Sequence, residues 1–519
     1  MIITKYIEKL FDSPLYTNMM QVLNKQTIKA LTASERLIIP NPAQMDYPER
    51  VLQFGTGVLL RALPDYFIDQ ANRKGKFLGR VVVVKSTSTG SSDEFKQQDG
   101  LYTICVKGLD GGKIVNQANI NAAISRVLSA TDEWQAVLAV AASPDLQVVI
   151  SNTTEVGIVM SEDNILDDPP ASYPGKLLAV LYQRYLHFSG DSQFGLVIIP
   201  TELIEENGTK LKNILINLAL HNQLDNAFVD WLKQANHFCN SLVDRIVPGK
   251  MSADAHQEKE AELGFKDQLM IMAEPFSLWA IESNSDYVKQ VLQFEDVDTG
   301  CLIVDDIYKY KELKLRLLNG THTFSCGVAL LAGFGLVREA ISDLKMSAFV
   351  KGLMMDDIVT AIEGDKISRV EAEEFAKKVI DRFSNPFIDH KWSSISVQFT
   401  SKMKMRNVPL LIKSANKFGK VSDRMVLGFA AYLLLMDTVQ EEGNIYVCGH
   451  TNEKIKLTDD FAAVLHRKWQ SGNLDTVLAE ILADQQLWGA DLSQIPGFVE
   501  QLRGTIEKIL QDGVSTFLN

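Results

Sequence analysis

Residues 50–62 read RVLQFGTGVLLRA and point to the class of fold that this chain adopts. An apolar run that begins at Arg50 stops at Gly55, and Gly57 follows before apolar residues resume. A buried strand, a glycine-rich turn and a helix start can bind a pyrophosphate, because the glycines let the backbone approach it and the helix supplies N–H groups. The third glycine of the usual GxGxxG is missing, so a merely structural turn is the alternative. The candidate cofactor loop consists of Phe54, Gly55, Thr56 and Gly57.

Three further apolar runs follow, RVVVVK at residues 80–85, LQVVIS at 146–151 and FGLVIIP at 194–200. Stretches with helical spacing separate them, and this alternation predicts a parallel sheet covered on both faces. The acidic residue that usually binds the ribose at the end of the second strand is absent, and Lys85 stands in its place. Because a cation tolerates a 2′-phosphate, NAD and NADP both remain open at this point.

The pattern of apolar residues changes after residue 305, where strand-like runs give way to helical spacing. Apolar residues recur at helical spacing through residues 311–335 and again through 421–439. We therefore expect an α/β Rossmann-type N-terminal domain with a parallel sheet, plus a mostly α-helical C-terminal domain. The expected bounds are an N-terminal extension at 1–45, the dinucleotide-binding domain at 46–305 and the helical domain at 306–519.

Composition limits the partners of the protein. Its 519 residues are too many for one ordinary core, and its net charge of −13 disfavours nucleic acid and anionic membranes. Lys402, Lys404 and Arg406 form a tight basic group that fits a small anion. The five cysteines have no spacing typical of disulfides or zinc, and the chain has neither a secretory signal nor an apolar run of about 20 residues. We expect a cytoplasmic protein with a small-molecule substrate and no metal, nucleic acid or membrane partner.

Residues 314–322, KLRLLNGTH, carry the clearest chemical signal. On an α-helix Asn319 and His322 share a face, and Lys314 lies about 80° round the helix from His322. Hydride attack on a carbonyl leaves negative charge on the oxygen, which an amide stabilises and a lysine protonates. The alternatives are a solvated lysine, a helix kink at Asn319 and a structural histidine.

The pattern K-x-R-L-L-N-x-x-H at residues 314–322 resembles the catalytic signature of the long-chain mannitol dehydrogenase family of polyol and hexuronate oxidoreductases. Further stretches resemble landmarks of that family in the same order, so that the resemblance spans roughly residues 50–410. They are FGTGVLLRA at 54–62, QDGLYT at 98–103, SNTTEVG at 151–157, ENG at 206–208, VDRIVP at 243–248, EPFSLW at 274–279 and RFSNP at 382–386.

The resemblance implies roles for particular residues and NAD as the cofactor, with no metal. Lys314 would be the general acid and base, Asn319 the oxyanion donor and His322 the residue that orients the substrate. Lys85, Thr154 and Glu155 would join the glycine loop in binding the cofactor. The implied substrate-binding residues are Asn207, Asp244 and Lys402. The basic group of Lys402, Lys404 and Arg406 could meet a carboxylate of the substrate, so Arg406 is a further candidate. A solvated helix or loop face is the alternative for Lys404 and Arg406. A structural ion pair with Arg245 is the alternative role for Asp244.

Three stretches indicate the branch of the family: ELIEENG at 202–208, SLVDRIV at 241–247 and LLNGTHT at 317–323. They resemble members that interconvert tagaturonate and altronate with NAD(H) in hexuronate catabolism. Leu203 and Ser394 stand where polyol dehydrogenases carry an asparagine and an arginine, so the pocket is not a mannitol pocket. The alternatives are a fructuronate reductase, a polyol dehydrogenase, and a nucleotide-binding regulatory protein with an inactive site.

Overall fold

The computed structural model describes residues 20–86, 92–153, 157–294, 297–441, 445–451 and 454–518. It divides into two compact units. The first takes in the chain up to Lys107 together with Ile114–Ile307, and the second takes in Gly108–Lys113 and the chain from Tyr308 onward. The candidate cofactor loop therefore belongs to the first unit, and the stretch 314–322 to the second.

A six-stranded sheet forms the centre of the first unit, and every pair of neighbours in it is parallel. In spatial order its strands are Ile124–Ser129, Arg80–Lys85, Glu49–Phe54, Val148–Ser151, Val197–Pro200 and His237–Phe238. Counted along the chain this order is 3-2-1-4-5-6, the order of a dinucleotide-binding fold. The predicted parallel sheet and its four apolar runs are thus confirmed.

These strands are apolar on both sides because each face of the sheet is covered. Val51, Val81 and Val83 lie in one buried cluster, and Leu52 and Val82 lie in another on the opposite face. Alternate side chains of a strand point to opposite faces, so a strand covered on both sides reads as a continuous apolar run. The helices of the first unit are Val58–Ala62, Pro64–Arg73, Asp93–Gln97, Trp134–Ala141, Tyr173–His187, Asn207–His221, Asn226–Gln234, Ala253–Leu263 and Asp286–Leu292, with 3-10 turns at Thr27–Ala30, Pro42–Asp46 and Ser192–Phe194.

Two smaller sheets belong to the first unit, except for the hairpin residues Gly108–Lys113, which belong to the second. A hairpin joins Tyr102–Asp110 to Lys113–Asn121, and the glycines at its tip, Gly111 and Gly112, have φ of 57° and 73°. The sheet built on this hairpin has the order Leu37–Ile38, Lys113–Asn121, Tyr102–Asp110 and Ile271–Ala273. The other sheet contains Ser241–Asp244, Leu278–Glu282 and Cys301–Val304.

The second unit is mostly helical, as predicted. Its buried helix Asp423–Met436 packs against Thr321–Leu331, and two glycines allow the close approach. A Cβ on Gly327 would lie 2.8 Å from the main chain of Ala431, and one on Gly428 would lie 2.8 Å from Phe324.

The helices of this unit are Tyr308–Leu313, Thr321–Leu331, Val337–Ser342, Leu344–Gly352, Val359–Ile362, Arg369–Phe383, Trp392–Ile395, Phe399–Lys402, Val408–Phe418, Asp423–Met436, Ala462–Trp469, Leu474–Leu482, Gln485–Trp488 and Phe498–Asp512. Three π-helical segments interrupt them, Lys314–Gly320, Leu353–Ile358 and Met403–Asn407. Two 3-10 turns, Leu492–Gln494 and Val514–Phe517, and a small sheet of Thr438–Glu441, Ile445–Cys448 and Lys456–Leu457 complete it. Within the described ranges, no helix has both the length and the apolar character needed to cross a bilayer.

Candidate functional site

The glycine loop of the first unit follows the central strand Glu49–Phe54 directly. Gly55 has φ of 125°, where a side chain is strained, and a Cβ there would lie 2.9 Å from the main-chain oxygen of Asn152. Its amide donates to the oxygen of Val84 at 3.0 Å. The loop therefore sits between the ends of the first and fourth strands, where the order of the sheet reverses and such folds bind their ligands.

Gly57 differs from Gly55, because its backbone angles suit any residue and a Cβ there would meet nothing within 4 Å. It caps the helix Val58–Ala62, which has only five residues because Pro64 begins a new helix behind Leu63. The expected strand, glycine turn and helix start are present. Open space above Gly57 and close backbone contact at Gly55 fit a loop that admits a pyrophosphate.

Glu202 ties together the neighbouring strand ends. Its buried carboxylate accepts hydrogen bonds from the Ser151 hydroxyl at 3.1 Å, from the Thr153 amide at 2.8 Å and from the Thr153 hydroxyl at 3.0 Å. Lys85 ends the second strand and is half-buried. Two of the expected cofactor-binding residues, Thr154 and Glu155, lie outside the described residues.

Asn207 opens the helix Asn207–His221, and its amide is engaged by the backbone. Its nitrogen donates to the oxygens of Pro200, Glu202 and Ser241 at 3.0 to 3.1 Å, and its oxygen accepts from the amides of Gly208 and Ser241 at 2.9 Å. These contacts use both ends of the side chain to join two strand ends. These contacts give Asn207 a structural role, and its contact with substrate stays a prediction.

Asp244 ends the strand Ser241–Asp244 and is buried. The neighbouring Arg245 donates to the main-chain oxygens of Glu274 and Ala62 and lies 4.6 Å from the ring of Tyr66. Arg245 therefore supports the backbone of the first unit. The role of Asp244 in substrate binding stays a prediction.

The stretch 314–322 is not the regular α-helix that the sequence predicts. Lys314–Gly320 is π-helical, and α-helix resumes at Thr321–Leu331. The angle of about 80° between Lys314 and His322 assumed 3.6 residues per turn and is wrong. The wider turn, with its i→i+5 hydrogen bonds, brings Lys314 and Asn319 nearer to a common face than an α-helix does. π-Helical segments are rare in proteins as a whole, and those that occur are often found at functional sites.

A second π-helical segment, Met403–Asn407, packs against the first, and Pro409 explains part of its geometry. In an α-helix the oxygen of Met405 would accept a hydrogen bond from residue 409, but proline has no N–H and its ring clashes with that oxygen. The guanidinium of Arg316 supplies the missing donor, because its Nη1 lies 2.8 Å from the oxygens of both Met405 and Arg406. Glu312 holds the other side of Arg316 through two hydrogen bonds of 3.1 and 3.2 Å.

Two contacts run between the same segments beside Arg316. Asn407 donates from its amide to the oxygen of Gly320 at 2.9 Å. Arg406 donates to the hydroxyl of Thr323 at 3.2 Å, and that hydroxyl donates to the oxygen of Asn319 at 2.8 Å. The segment that carries Lys314 and Asn319 and the segment that carries Arg406 are thus fixed to each other by side chains of both.

His322 lies in an aromatic setting and is only 7% exposed. Its ring stacks on Phe383 at 4.0 Å and meets the rings of His390 and Trp392 edge-on at 5.2 and 6.0 Å. Among the described residues its Nε2 has no hydrogen-bond partner. A buried polar atom without a partner is costly, so this nitrogen is available to a bound molecule.

Burial lowers the pKa of His322 well below its ordinary value, and nearby positive charge lowers it further. The basic neighbours that act on it are His390, Arg382, Arg406 and Lys402. Burial is also the main cause that lowers the pKa of Lys402 and the pKa of His390. Burial lowers the pKa of Arg406 to about 10. The structure therefore places three expected site residues, His322, Lys402 and Arg406, in one basic cluster.

Lys404 is the third member of the basic group in the sequence, but its side chain makes its hydrogen bond outside this cluster. Its ammonium donates to the main-chain oxygen of Gln486 at 2.9 Å. Two members of the cluster, Arg382 and His390, were not predicted from the sequence. Arg382 opens the RFSNP landmark, which was a usable signal, whereas His390 lies in an irregular segment without a motif.

In the part of the chain that the structure describes, no group of three or more His, Cys, Asp or Glu side chains is arranged to hold a metal ion. The five cysteines are unpaired and buried.

Comparison with known proteins gives matches over most of the chain. The family model of the mannitol dehydrogenase Rossmann domain matches residues 49–293, and that of the mannitol dehydrogenase C-terminal domain matches residues 306–510. An altronate oxidoreductase of Bacillus subtilis is 38% identical over 477 residues, which cover 91% of this chain and 95% of that protein. An altronate oxidoreductase of Klebsiella pneumoniae is 38% identical over 470 residues, which cover 90% and 96%.

Solved structures resemble the whole chain as well. The mannitol 2-dehydrogenase of Pseudomonas fluorescens, solved as a ternary complex with NAD and D-mannitol, matches with a TM-score of 0.68 and 23% identity. The match covers 96% of this chain and 99% of that one. At this identity the likeness supports the fold.

Proposed function

This chain belongs to the mannitol dehydrogenase family, and we propose that it is the NAD-dependent oxidoreductase that interconverts D-tagaturonate and D-altronate. The observation that carries the proposal is the basic cluster around His322, whose helix Thr321–Leu331 continues directly from the π-helical segment of Lys314 and Asn319. A sugar acid presents a carbonyl to be reduced and a carboxylate to be bound, and the cluster offers positive charge beside the groups that act on a carbonyl.

In the proposed reaction the carbonyl carbon of tagaturonate gains a hydride and its oxygen gains a proton, which gives the secondary alcohol of altronate. NADH supplies the hydride when it is bound. Lys314 donates the proton to the oxygen, and the amide of Asn319 stabilises the negative charge that develops there. His322 orients the substrate through its unpartnered Nε2. In the reverse direction Lys314 accepts the proton of the altronate hydroxyl.

The glycine loop is the proposed site of the cofactor pyrophosphate, and Phe54, Gly55, Thr56 and Gly57 form it. The space above Gly57 and the tight turn at Gly55 support this. Lys85 ends the second strand, and in folds of this type a residue at that strand end contacts the ribose of the cofactor. The cofactor preference is therefore part of the test. We place the enzyme in the cytoplasm, which agrees with five cysteines that are all unpaired.

A substrate panel tests the proposal. Purified protein is mixed with NADH or NADPH and with D-tagaturonate, D-fructuronate or D-fructose, and the loss of cofactor absorbance is followed. We expect NADH with tagaturonate to give the highest kcat/KM. A higher kcat/KM for fructuronate or for the neutral sugar would replace the proposed substrate, and cofactor binding without turnover of any sugar would favour a regulatory protein.

A further inference from the structure

We infer that Arg406 and His390 form the subsite that reads the carboxylate of the substrate and so separate sugar acids from neutral sugars. The inference rests on the proposed function and deepens it. It concerns specificity and leaves the reduction itself to Lys314 and Asn319.

Positive charge surrounds His322. Two arginines and a lysine lie close enough for their charges to act on its ring, and they come from different elements of the second unit. Arg382 lies in the helix Arg369–Phe383, Lys402 ends Phe399–Lys402, and Arg406 lies in Met403–Asn407. Concentrated positive charge in a partly buried place is costly unless an anion binds there.

One acidic residue, Asp459, lies close enough to the cluster for its charge to act on a member of it. Asp459 acts on Lys402 and favours its charged form. However, the carboxylate of Asp459 already accepts hydrogen bonds from the main-chain amides of Thr400 at 2.7 Å and Phe461 at 2.9 Å. Among the residues that the structure describes, no carboxylate acts on the charge of Arg406 or of His390, so both can bind a carboxylate from outside the chain.

The three cations differ in their hydrogen bonds and in their burial. The ammonium of Lys402 donates to the oxygen of Ile395 at 2.9 Å, and Arg382 is buried. Arg406 donates to Thr323 through Nη1, while its buried Nε has no hydrogen-bond partner among the described residues. An arginine offers five N–H groups in a planar fork that matches a carboxylate. Arg406 therefore keeps donors for an anion.

His390 lies beside His322. Its ring meets that of His322 edge-on at 5.2 Å, and it is half-buried where His322 is buried. Burial lowers the pKa of His390, and the charges of Lys402 and Arg382 lower it further. A neutral imidazole still donates one N–H, and an anion beside it favours the protonated ring. His390 thus lies against the ring of His322, on which the charge of Arg406 also acts.

The test compares an acid with its neutral counterpart. D-tagatose is D-tagaturonate with a hydroxymethyl group in place of the carboxylate, so the ratio of their kcat/KM values reports recognition of the carboxylate. The variants are Arg406→Gln, Arg406→Lys and His390→Gln. The matched control is Lys404→Gln, which removes a charge two residues away from Arg406 on a side chain that is bound to Gln486.

We expect Arg406→Gln to lower kcat/KM for tagaturonate about 30-fold and His390→Gln about tenfold, since each loses a hydrogen bond to a charged group. Tagatose turnover should change less than about threefold. Arg406→Lys should recover part of the ratio, and Lys404→Gln should leave it unchanged. A parallel fall for both sugars, or an unchanged ratio, would overturn the inference.

A binding measurement distinguishes this inference from the proposed function. Titration calorimetry with D-altronate in the presence of NAD⁺ reports carboxylate binding without turnover. If the wild type reduces no sugar acid, the proposed function fails. The inference then stands if altronate binds to the wild type and binds at least tenfold more weakly to Arg406→Gln, and it is overturned if the two bind alike or if altronate does not bind.

Discussion

The side-chain amide of Asn407 donates a 2.9 Å hydrogen bond to the main-chain oxygen of Gly320. Arg316 makes the reciprocal contact, because it lies in the first π-helical segment and donates to two oxygens of the second. The pair links the segment of Lys314 and Asn319 to that of Arg406. The spacing of the proposed catalytic groups therefore depends on side chains that touch neither carbonyl nor cofactor in the proposed reaction.

Asn407→Leu should destabilise the protein and slow it. The change keeps the branching of the side chain, but it removes a donor to the oxygen of Gly320 and places larger methyl groups at a fully buried position, which costs about 1–3 kcal/mol. We expect a lower free energy of unfolding in urea and a fall in kcat of about tenfold, because small displacements of reacting groups are costly. Wild-type kcat in this variant would show that the link does not position the site.

Arg316→Lys should lower kcat more than it raises KM. A lysine keeps the charge but cannot hold two oxygens and Glu312 at once with a planar fork. We expect kcat for tagaturonate to fall about 10- to 100-fold. Arg369→Lys is the control, because Arg369 is exposed and its ion pairs with Glu363 and Glu373 lie at the surface. Equal effects of the two changes would contradict a positioning role for Arg316.

The two glycines of the cofactor loop should respond in opposite ways. Gly57→Val should leave the thermal midpoint near that of the wild type, because a Cβ there meets nothing, but it should raise the Kd for NADH by filling the space proposed for the pyrophosphate. Gly55→Ala should lower the thermal midpoint, because φ of 125° and the oxygen of Asn152 oppose a side chain. Normal NADH binding by a folded Gly57→Val protein would argue against this site.

Acidification should destabilise the fold through His322. Burial, reinforced by the surrounding positive charge, lowers its pKa well below the ordinary 6.5. Below pH 6.5 the unfolded chain takes up a proton at this position that the folded protein does not, so stability falls as the pH falls. The slope from this group is at most about 1.4 kcal/mol per pH unit. In urea denaturation between pH 7 and 5, His322→Asn should show a shallower decline, and an equal decline would refute the assignment.

The sequence predicted the elements whose physics is local. The apolar strands and the glycine turn follow from covered faces and from backbone freedom, and Glu49–Phe54 begins within one residue of its predicted start. The hairpin at Tyr102–Asn121 was missed although Gly111 and Gly112 are typical of its turn.

The site was predicted less completely, since it depends on contacts between distant parts of the chain. A period of 3.6 residues fits the apolar pattern around Lys314, and only the contact with residues near Pro409 reveals the π-helical geometry. His390 has no local signal, because its significance comes from the ring of His322, 68 positions earlier in the sequence.

The proton donor is the central claim, and the turnover of Lys314→Ala tests it most directly. Steady-state assays with NADH and D-tagaturonate should show kcat at least about 1000-fold below that of the wild type, which is within the range for loss of a general acid. The thermal midpoint and the Kd for NADH should be unchanged, and the exposed Lys351→Ala, in the same unit, should match the wild type throughout. A kcat within tenfold of the wild type in a folded Lys314→Ala protein would contradict the account.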